Sequence, residues 1–593
     1  MCRMTLDSAA SQLGPPEVPV FTPTATASVT GHEWAVAAGH PLAAQAAAHV
    51  LQAGGNAIDA GVAAGLCLGV VHCDMVSFAG VAPILVHWSP THETFQVSGV
   101  GPYPGGATLE EFLRRFGGDL PVGLPRAVVP ASPAAWLAAL ARWGTMSFAD
   151  VVAPALECAA RGFPVTPFSA HLMARNEEAY RRWSTSAALL LPGGRALRAG
   201  EILVQSALAE TIRTMIRAER KAGGERAANV LAASDAFYKG DIARMIAGYH
   251  QDNDGFLSYE DLASFTVEIA PALRTSFREY EVAACGFWCQ GPVLLQLLNL
   301  LEPLDLGALG HNSSDYLHTL TEAIKLAFAD REAYYGDPLH VKVPADGLLS
   351  KAYADARRAL IRMGEAWPGM APVGDPYGLA AERNGPGASR REATRPASQA
   401  LDTAYVAVVD AKGNAFSATP SDPNVDAPVV PGLGCVVSPR GSQGWLEPVH
   451  PSVLAPGKRP RLTPAPAMAF RNGALLMPFG TPGGDVQQQA MLQVFLNVAV
   501  FDMPIQEAIE APRVASRGFP DSFWPHSIAP GKLELEGRVP ETTRDALAAR
   551  GHQISVWPEW DWRAGAVCAV LVGQTGVRHG GADPRRGAHS IAW

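Results

Sequence analysis

Residues 402–421 read DTAYVAVVDAKGNAFSATPS. Two β-rich runs, TAYVAVVD (403–410) and GNAFSAT (413–419), bounded by Asp410 and Gly413, predict a pair of short strands. The segment just upstream, 370–402, is rich in Pro, Gly, Ala and Arg with no hydrophobic period, and reads as a mobile surface linker. Further strands are expected at PAMAF (466–470), ALLMPFG (474–480) and AVCAVLVG (566–573). Helices are expected earlier. Residues 40–55 are Ala-rich and stop at Gly54-Gly55. Asn56 can cap a following helix with Asp59 at its third position, and 60–71 is apolar on every face, so that helix must lie inside. Residues 291–306 read as another buried helix and 314–335 as a long amphipathic one. Helices in the first two thirds and strands in the last third predict a layered α/β (α+β) protein.

Composition narrows the function. The 593 residues are 48% hydrophobic and 17% charged, with a net charge of −9 spread along the chain and a mean hydropathy close to zero. No electrostatic footprint for nucleic acid or an anionic membrane is present, so a small-molecule partner is expected. The longest purely apolar run, 60–71, falls short of the roughly 18–20 residues that span a bilayer. Residues 1–34 read as a flexible arm without a signal-peptide apolar region, and the eight sparse cysteines suit a reducing compartment. A cytoplasmic enzyme is expected, with Cys285 and Cys289 structural or incidental.

The junction Asp402-Thr403 carries the sharpest chemical possibility. Cleavage there would give Thr403 a free α-amine, combining a hydroxyl nucleophile with a base whose pKa lies near neutrality. The plain alternative is that β-branched Thr403 simply begins a strand. Downstream, Gly483 and Gly484 sit between the strand 474–480 and an apolar helix, where backbone N–H groups can approach a ligand as an oxyanion hole requires, or merely make a tight turn.

Taken in order, residues 40–71, 402–421, PGKRPRLTP (456–464), FGTPGG (479–484) and GGADPRR (580–586) resemble the γ-glutamyltransferase family. The resemblance runs from about residue 35 to the end. It implies a four-layer αββα sandwich of the N-terminal-nucleophile hydrolase type, and a precursor cut into a large subunit, 1–402 (arm 1–34, body 35–369 and linker 370–402), and a small one, 403–593. It also implies Thr403 as nucleophile, Gly483 and Gly484 as oxyanion glycines, and Ser421 in place of a second family Thr. The family's nearby Asn falls at Pro423, with Asn424 one residue away. No cofactor or metal is implied.

The substrate side departs from the family. Its carboxylate-binding Arg is missing from 97–102 (VSGVGP), its acidic pair falls at Ser442 and Gln443, and its two serines fall at Leu462 and Thr463. Arg440, Gln443, Thr463 and Asn424 are therefore the candidate substrate contacts. Arg440 is expected either to hold a substrate carboxylate or to lie on the surface, and Arg461 likewise. The resulting expectation is an amidase or acyltransferase acting on an amide that lacks the glutamyl α-amino group. The alternatives are a true γ-glutamyl transpeptidase with an altered clamp, and a non-cleaving binding relative. The calcium-loop look-alike at 250–261 has the wrong first and last ligands.

Overall fold

The computed structural model describes residues 26–383 and 403–593. Two seven-stranded antiparallel sheets form its centre. One runs His589–Ala592, Ala35–Ala38, Val406–Val409, Ala415–Ala418, Ile84–Trp88, Glu93–Val97, Ile269–Pro271. The other runs Val29–Gly31, Arg578–Ala582, Cys568–Val572, Ala474–Gly480, Ala467–Arg471, Tyr280–Ala284, Leu273–Phe277. Alternation along each strand divides the side chains between layers. Tyr405, Ala407 and Val409 pack with Met468 and Phe470 between the sheets, while Val406 and Val408 join the helical core on the outer face. On the other sheet Ala467 and Ala469 face outward onto a second helical core. Helix, sheet, sheet, helix is thus the order of layers, as the resemblance implies.

Ala57–Val71 is buried along its whole length, and its first turn is closed by a capping box. Asn56 accepts from the N–H groups of Ile58 (2.8 Å) and Asp59 (3.0 Å), and Asp59 accepts from that of Asn56 (2.9 Å). Ser314–Tyr334 departs from expectation: it is not amphipathic but buried on nearly every face, its charged groups paired internally. Among the described residues, no helix is long and apolar enough to cross a membrane.

Three expectations about organisation need correcting. Strands are not confined to the last third: seven of the fourteen in the two sheets precede residue 403, several as four- or five-residue runs such as AVAA (Ala35–Ala38) that carry little β signal of their own. The arm is shorter than 1–34, because Val29–Gly31 pairs with Arg578–Gly580. The linker also starts later than 370. Gly374 donates to Asp330 (3.0 Å) and accepts from Tyr334 (2.7 Å), and Arg357 donates to the carbonyl of Ala381 (2.7 Å). The two predicted subunits share both sheets. Val406–Val409 lies beside Ala35–Ala38, and Ala467–Arg471 beside Tyr280–Ala284, so a cut before Thr403 would not separate two domains.

Candidate active site

Thr403 stands at the head of the strand that continues as Val406–Val409, buried and paired antiparallel with Ser421. Ala404 donates to the carbonyl of Pro420 (3.0 Å), and Ser421 donates its own N–H to Val81 (3.0 Å). These backbone bonds bring the two hydroxyls together, with Thr403 Oγ1 3.1 Å from Ser421 Oγ. Asp402, the other half of the predicted cleavage site, lies outside the described residues.

Arg440 is buried in the site and not on the surface. Its Nη2 donates to Ser421 Oγ, its Nε to Asp422 Oδ1 (2.5 Å), and its Nη1 reaches Thr463 Oγ1 (3.5 Å). The Arg440 guanidinium is ion-paired with Asp422, so its charge is met before any substrate carboxylate arrives. Asp422 takes φ +97°, a left-handed conformation that non-glycine residues seldom adopt outside Asn and Asp. Burial raises its pKa, against the opposing pull of the Arg440 charge. Gln443 is committed to Thr463: its Nε2 donates to Thr463 Oγ1 (2.9 Å), and its Oε1 accepts from Thr463 N–H (3.3 Å). Ser442 and Gln443 therefore present no charge where the family resemblance calls for an acidic pair. Asn424 is buried near Cys73.

Gly483 (φ +127°) and Gly484 (φ +56°) form the turn that leads through Gly484–Val486 into the helix Gln487–Ala499. Only glycine enters this backbone geometry without strain. The strand that leads into the turn packs against the residue two places after Thr403, since a Cβ on Gly480 would fall 2.3 Å from the Tyr405 ring. Beneath it, Asp485 is held by Arg331 and by Ser522, whose Oγ donates to Oδ1 and whose N–H donates to Oδ2 (both 2.7 Å). Burial acts to lower the Arg331 pKa, but the charges of Asp485 and Glu332 outweigh it and leave that pKa raised. Arg461 is spent in the same network, donating to Glu332 Oε1 (3.0 Å) and to the carbonyl of Arg331 (3.1 Å).

Sequence reasoning did not single out Asp422, Asp485, Arg331 or Gln290. The one local signal was Asp422 itself, an Asp before Pro and therefore suited to an unusual turn. His318, Glu322 and His552 come close enough to suggest a metal centre. However, Glu322 already binds Lys325 Nζ (2.7 Å), and that buried ammonium opposes a cation; His318 Nδ1 and His552 Nε2 face each other at 2.9 Å. The calcium look-alike is a helix start, with Asp261 accepting from Ser258 N–H (2.9 Å) and from Gly105 N–H (2.8 Å). Trp445 is packed between the rings of His450 and His526, and Cys285 and Cys289 lie in the core between the sheets.

A family model described as Gamma-glutamyltranspeptidase matches residues 43–593. The Acylase ACY 1 proenzyme of Pseudomonas sp. (strain SE83) is 34% identical over 576 residues, covering 95% of this chain and 94% of the relative. The Glutathione hydrolase-like YwrD proenzyme of Bacillus subtilis (strain 168) is 31% identical over 562 residues, covering 94% of this chain and 98% of the relative. The crystal structure of cephalosporin acylase from Bacillus halodurans aligns with a TM-score of 0.83 at 29% identity, covering 98% of this chain and 99% of that one.

Proposed function

The chain belongs to the gamma-glutamyltranspeptidase family, and from that premise we propose that it is a self-processing amide hydrolase or acyltransferase whose nucleophile is Thr403. The observation that carries this reading is the buried Thr403–Ser421 hydroxyl pair at the head of a strand, with Arg440 donating to Ser421. In the precursor, Thr403 Oγ1 attacks the carbonyl of Asp402. The peptide bond gives way to an ester, and water releases a small subunit, 403–593, that begins with a free threonine amine. In the mature enzyme the same oxygen attacks a substrate amide while the amine takes and returns its proton. Backbone N–H groups of Gly483 and Gly484 receive the oxyanion. Ser421, polarised by the guanidinium of Arg440, donates to the Thr403 oxygen as charge develops on it.

The acyl group proposed lacks the glutamyl amino-acid head. Neutral Ser442 and Gln443 and the arginine-free stretch 97–102 offer a zwitterionic head no charged partners, and unpaired charge is costly to strip of water. Relatives named as acylases agree with this choice. A cytoplasmic setting is part of the reading, supported by seven free thiols among the described residues.

Two measurements test the proposal. Purified wild type should resolve into two chains, the smaller opening with Thr403, and Thr403→Ala should remain whole and inactive. An active wild type with an intact Asp402-Thr403 bond would sink the mechanism. Among chromogenic anilides, a glutaryl anilide should turn over at least about tenfold faster than its γ-glutamyl counterpart, since loss of charged contacts is worth 2 kcal/mol or more; faster release from the γ-glutamyl compound would overturn the substrate claim alone.

A further inference from the structure

Gln290 lies just before the helix Gly291–Leu301, is 1% exposed, and has no place in the chemistry described above. Its side-chain orientation is fixed by its neighbours. Oε1 is 3.1 Å from Arg331 Nη1, and a guanidinium only donates, so that atom must be the acceptor. The Nε2 amino group then faces two backbone carbonyls, donating to Gly484 O and to Thr463 O, each at 3.0 Å. Both of its N–H groups are used, and its backbone N–H donates to Leu462 (2.9 Å), which holds the residue in place from behind.

The two carbonyls belong to the two halves of the site. Gly484 O is part of the glycine turn, whose preceding carbonyl, Gly483 O, accepts from Val486 N–H (3.0 Å). A carbonyl shares its peptide plane with the N–H of the next residue, so the Gly483 bond sets the direction of Gly484 N–H, Thr481 Oγ1, donating to Pro482 O (2.9 Å), sets that of Gly483 N–H, and the Gln290 bond fixes the Gly484–Asp485 plane on which the turn ends. Thr463 O belongs to the residue whose hydroxyl meets Gln443 and Arg440, and Arg440 in turn reaches Ser421 and, through it, Thr403. One amide group therefore spans the oxyanion turn and the nucleophile's hydrogen-bond network, while Arg331 anchors that amide and Asp485 together.

We propose that Gln290 is a positioning residue of the active site, its amide fixing the oxyanion turn in register with Thr403 by donating to Gly484 and Thr463. This rests on the assignment of Thr403 and the glycine turn above. The discriminating variant is Gln290→Glu, which keeps size, shape and the acceptor toward Arg331 but sets a carboxylate oxygen against two carbonyl oxygens. In the full-length protein we expect kcat on an amide substrate to fall about tenfold to several hundredfold, approaching the roughly 10²–10³ of a lost oxyanion donor, with KM within about threefold. Hydrogen exchange of the peptide covering 481–486 should quicken, which is readable even in an inactive protein. Gln290→Met, which removes the donor without adding charge, should behave alike. Wild-type kcat in Gln290→Glu, or unchanged exchange at 481–486 in both variants, would overturn the proposal. If the wild type itself releases no acyl group from any amide, it is the enzymatic reading that fails, and the exchange measurement still decides whether Gln290 holds the turn.

Discussion

Beneath the glycine turn, Asp485 accepts from Arg331 and Ser522 Oγ on one carboxylate oxygen and from Ser522 N–H on the other. Beside Thr403 and Ser421, Asp422 accepts from Arg440 on Oδ1, while its Oδ2 is buried without a hydrogen-bond partner among the described residues, as is the nearby Ser438 Oγ. Both aspartates are buried, both face a buried arginine, and both sit one residue from a group proposed to act in the reaction. They differ in completeness. Arg331 is saturated by Asp485, Glu332, Gln290 and the carbonyl of Pro520, and lies over the Phe328 ring. Asp422 combines an incomplete hydrogen-bond set with a left-handed backbone, which costs on the order of 1–3 kcal/mol. A buried ion pair is stable only when its remaining donors and acceptors are also met, so the turn is held rigid while the nucleophile side keeps acceptor capacity in reserve. That division suits the proposed chemistry, in which the oxyanion donors are preorganised and Thr403 serves first its own chain and then a substrate.

The largest effect that would break this contrast is on stability. Asp485→Asn places an amide N–H₂ against either the Ser522 N–H or the Arg331 guanidinium and leaves that buried guanidinium with Glu332 as its remaining carboxylate partner. The loss should be about 3–5 kcal/mol, read from urea midpoints. Asp422→Asn also takes a carboxylate from Arg440, but it tolerates the same left-handed backbone, keeps an amide oxygen for Arg440 Nε and breaks one hydrogen bond to the arginine instead of a full set, so its loss should be smaller, about 1–3 kcal/mol. Equal losses would show that the two pairs are equivalent and that the geometry around Asp422 carries no energetic meaning.

A middle-sized effect concerns what Arg440 is for. Because Asp422 already matches its charge, Arg440→Met should lower kcat on a carboxylated and on a neutral amide by the same factor, about tenfold or more but below the roughly 10²–10³ of a deleted oxyanion donor. A selective loss on the carboxylated substrate would restore Arg440 as a substrate ligand and remove its role toward Ser421.

The contrast also marks what a linear sequence can and cannot disclose. The strand boundary at Thr403, the Asn56-capped helix and the Gly483-Gly484 turn are local events, set by residues within a few positions of one another, and all were legible. The early strands were not: Ala35–Ala38 has no β-branched periodicity and is a strand because Val406–Val409 and His589–Ala592 flank it. Nor could the pairing of Arg440 be read, since its partner Asp422 lies 18 residues away. Gln290 was invisible for the same reason, its contacts being 41, 173 and 194 residues distant. Residue type announced which groups could act. Only the fold decided which charges were already spent.

The smallest expected effect is a pH slope that links the turn to its neighbour Asp521. Burial and the nearby charge of Asp485 push the Asp521 carboxyl up to about 7. The folded protein thus retains a proton that the unfolded chain, with an ordinary carboxyl near pH 4, has already released. The stability this contributes is fully present below about pH 4 and is lost as pH rises through about 7. At about 1.4 kcal/mol per unit the whole effect is a few kcal/mol at most. Asp521→Asn removes the titration, so its urea midpoint should vary less than that of the wild type between pH 4 and 7, and the variant should gain on the wild type toward pH 7. The cause can be checked separately. In an Asp485→Asn background the repelling charge is gone and Arg331 is freed to act on Asp521, whose pKa should fall, and the slope should shrink even with Asp521 in place. A slope unchanged by either substitution would mean that Asp485 does not set the electrostatics of the turn, and the contrast with Asp422 would rest on hydrogen bonding alone.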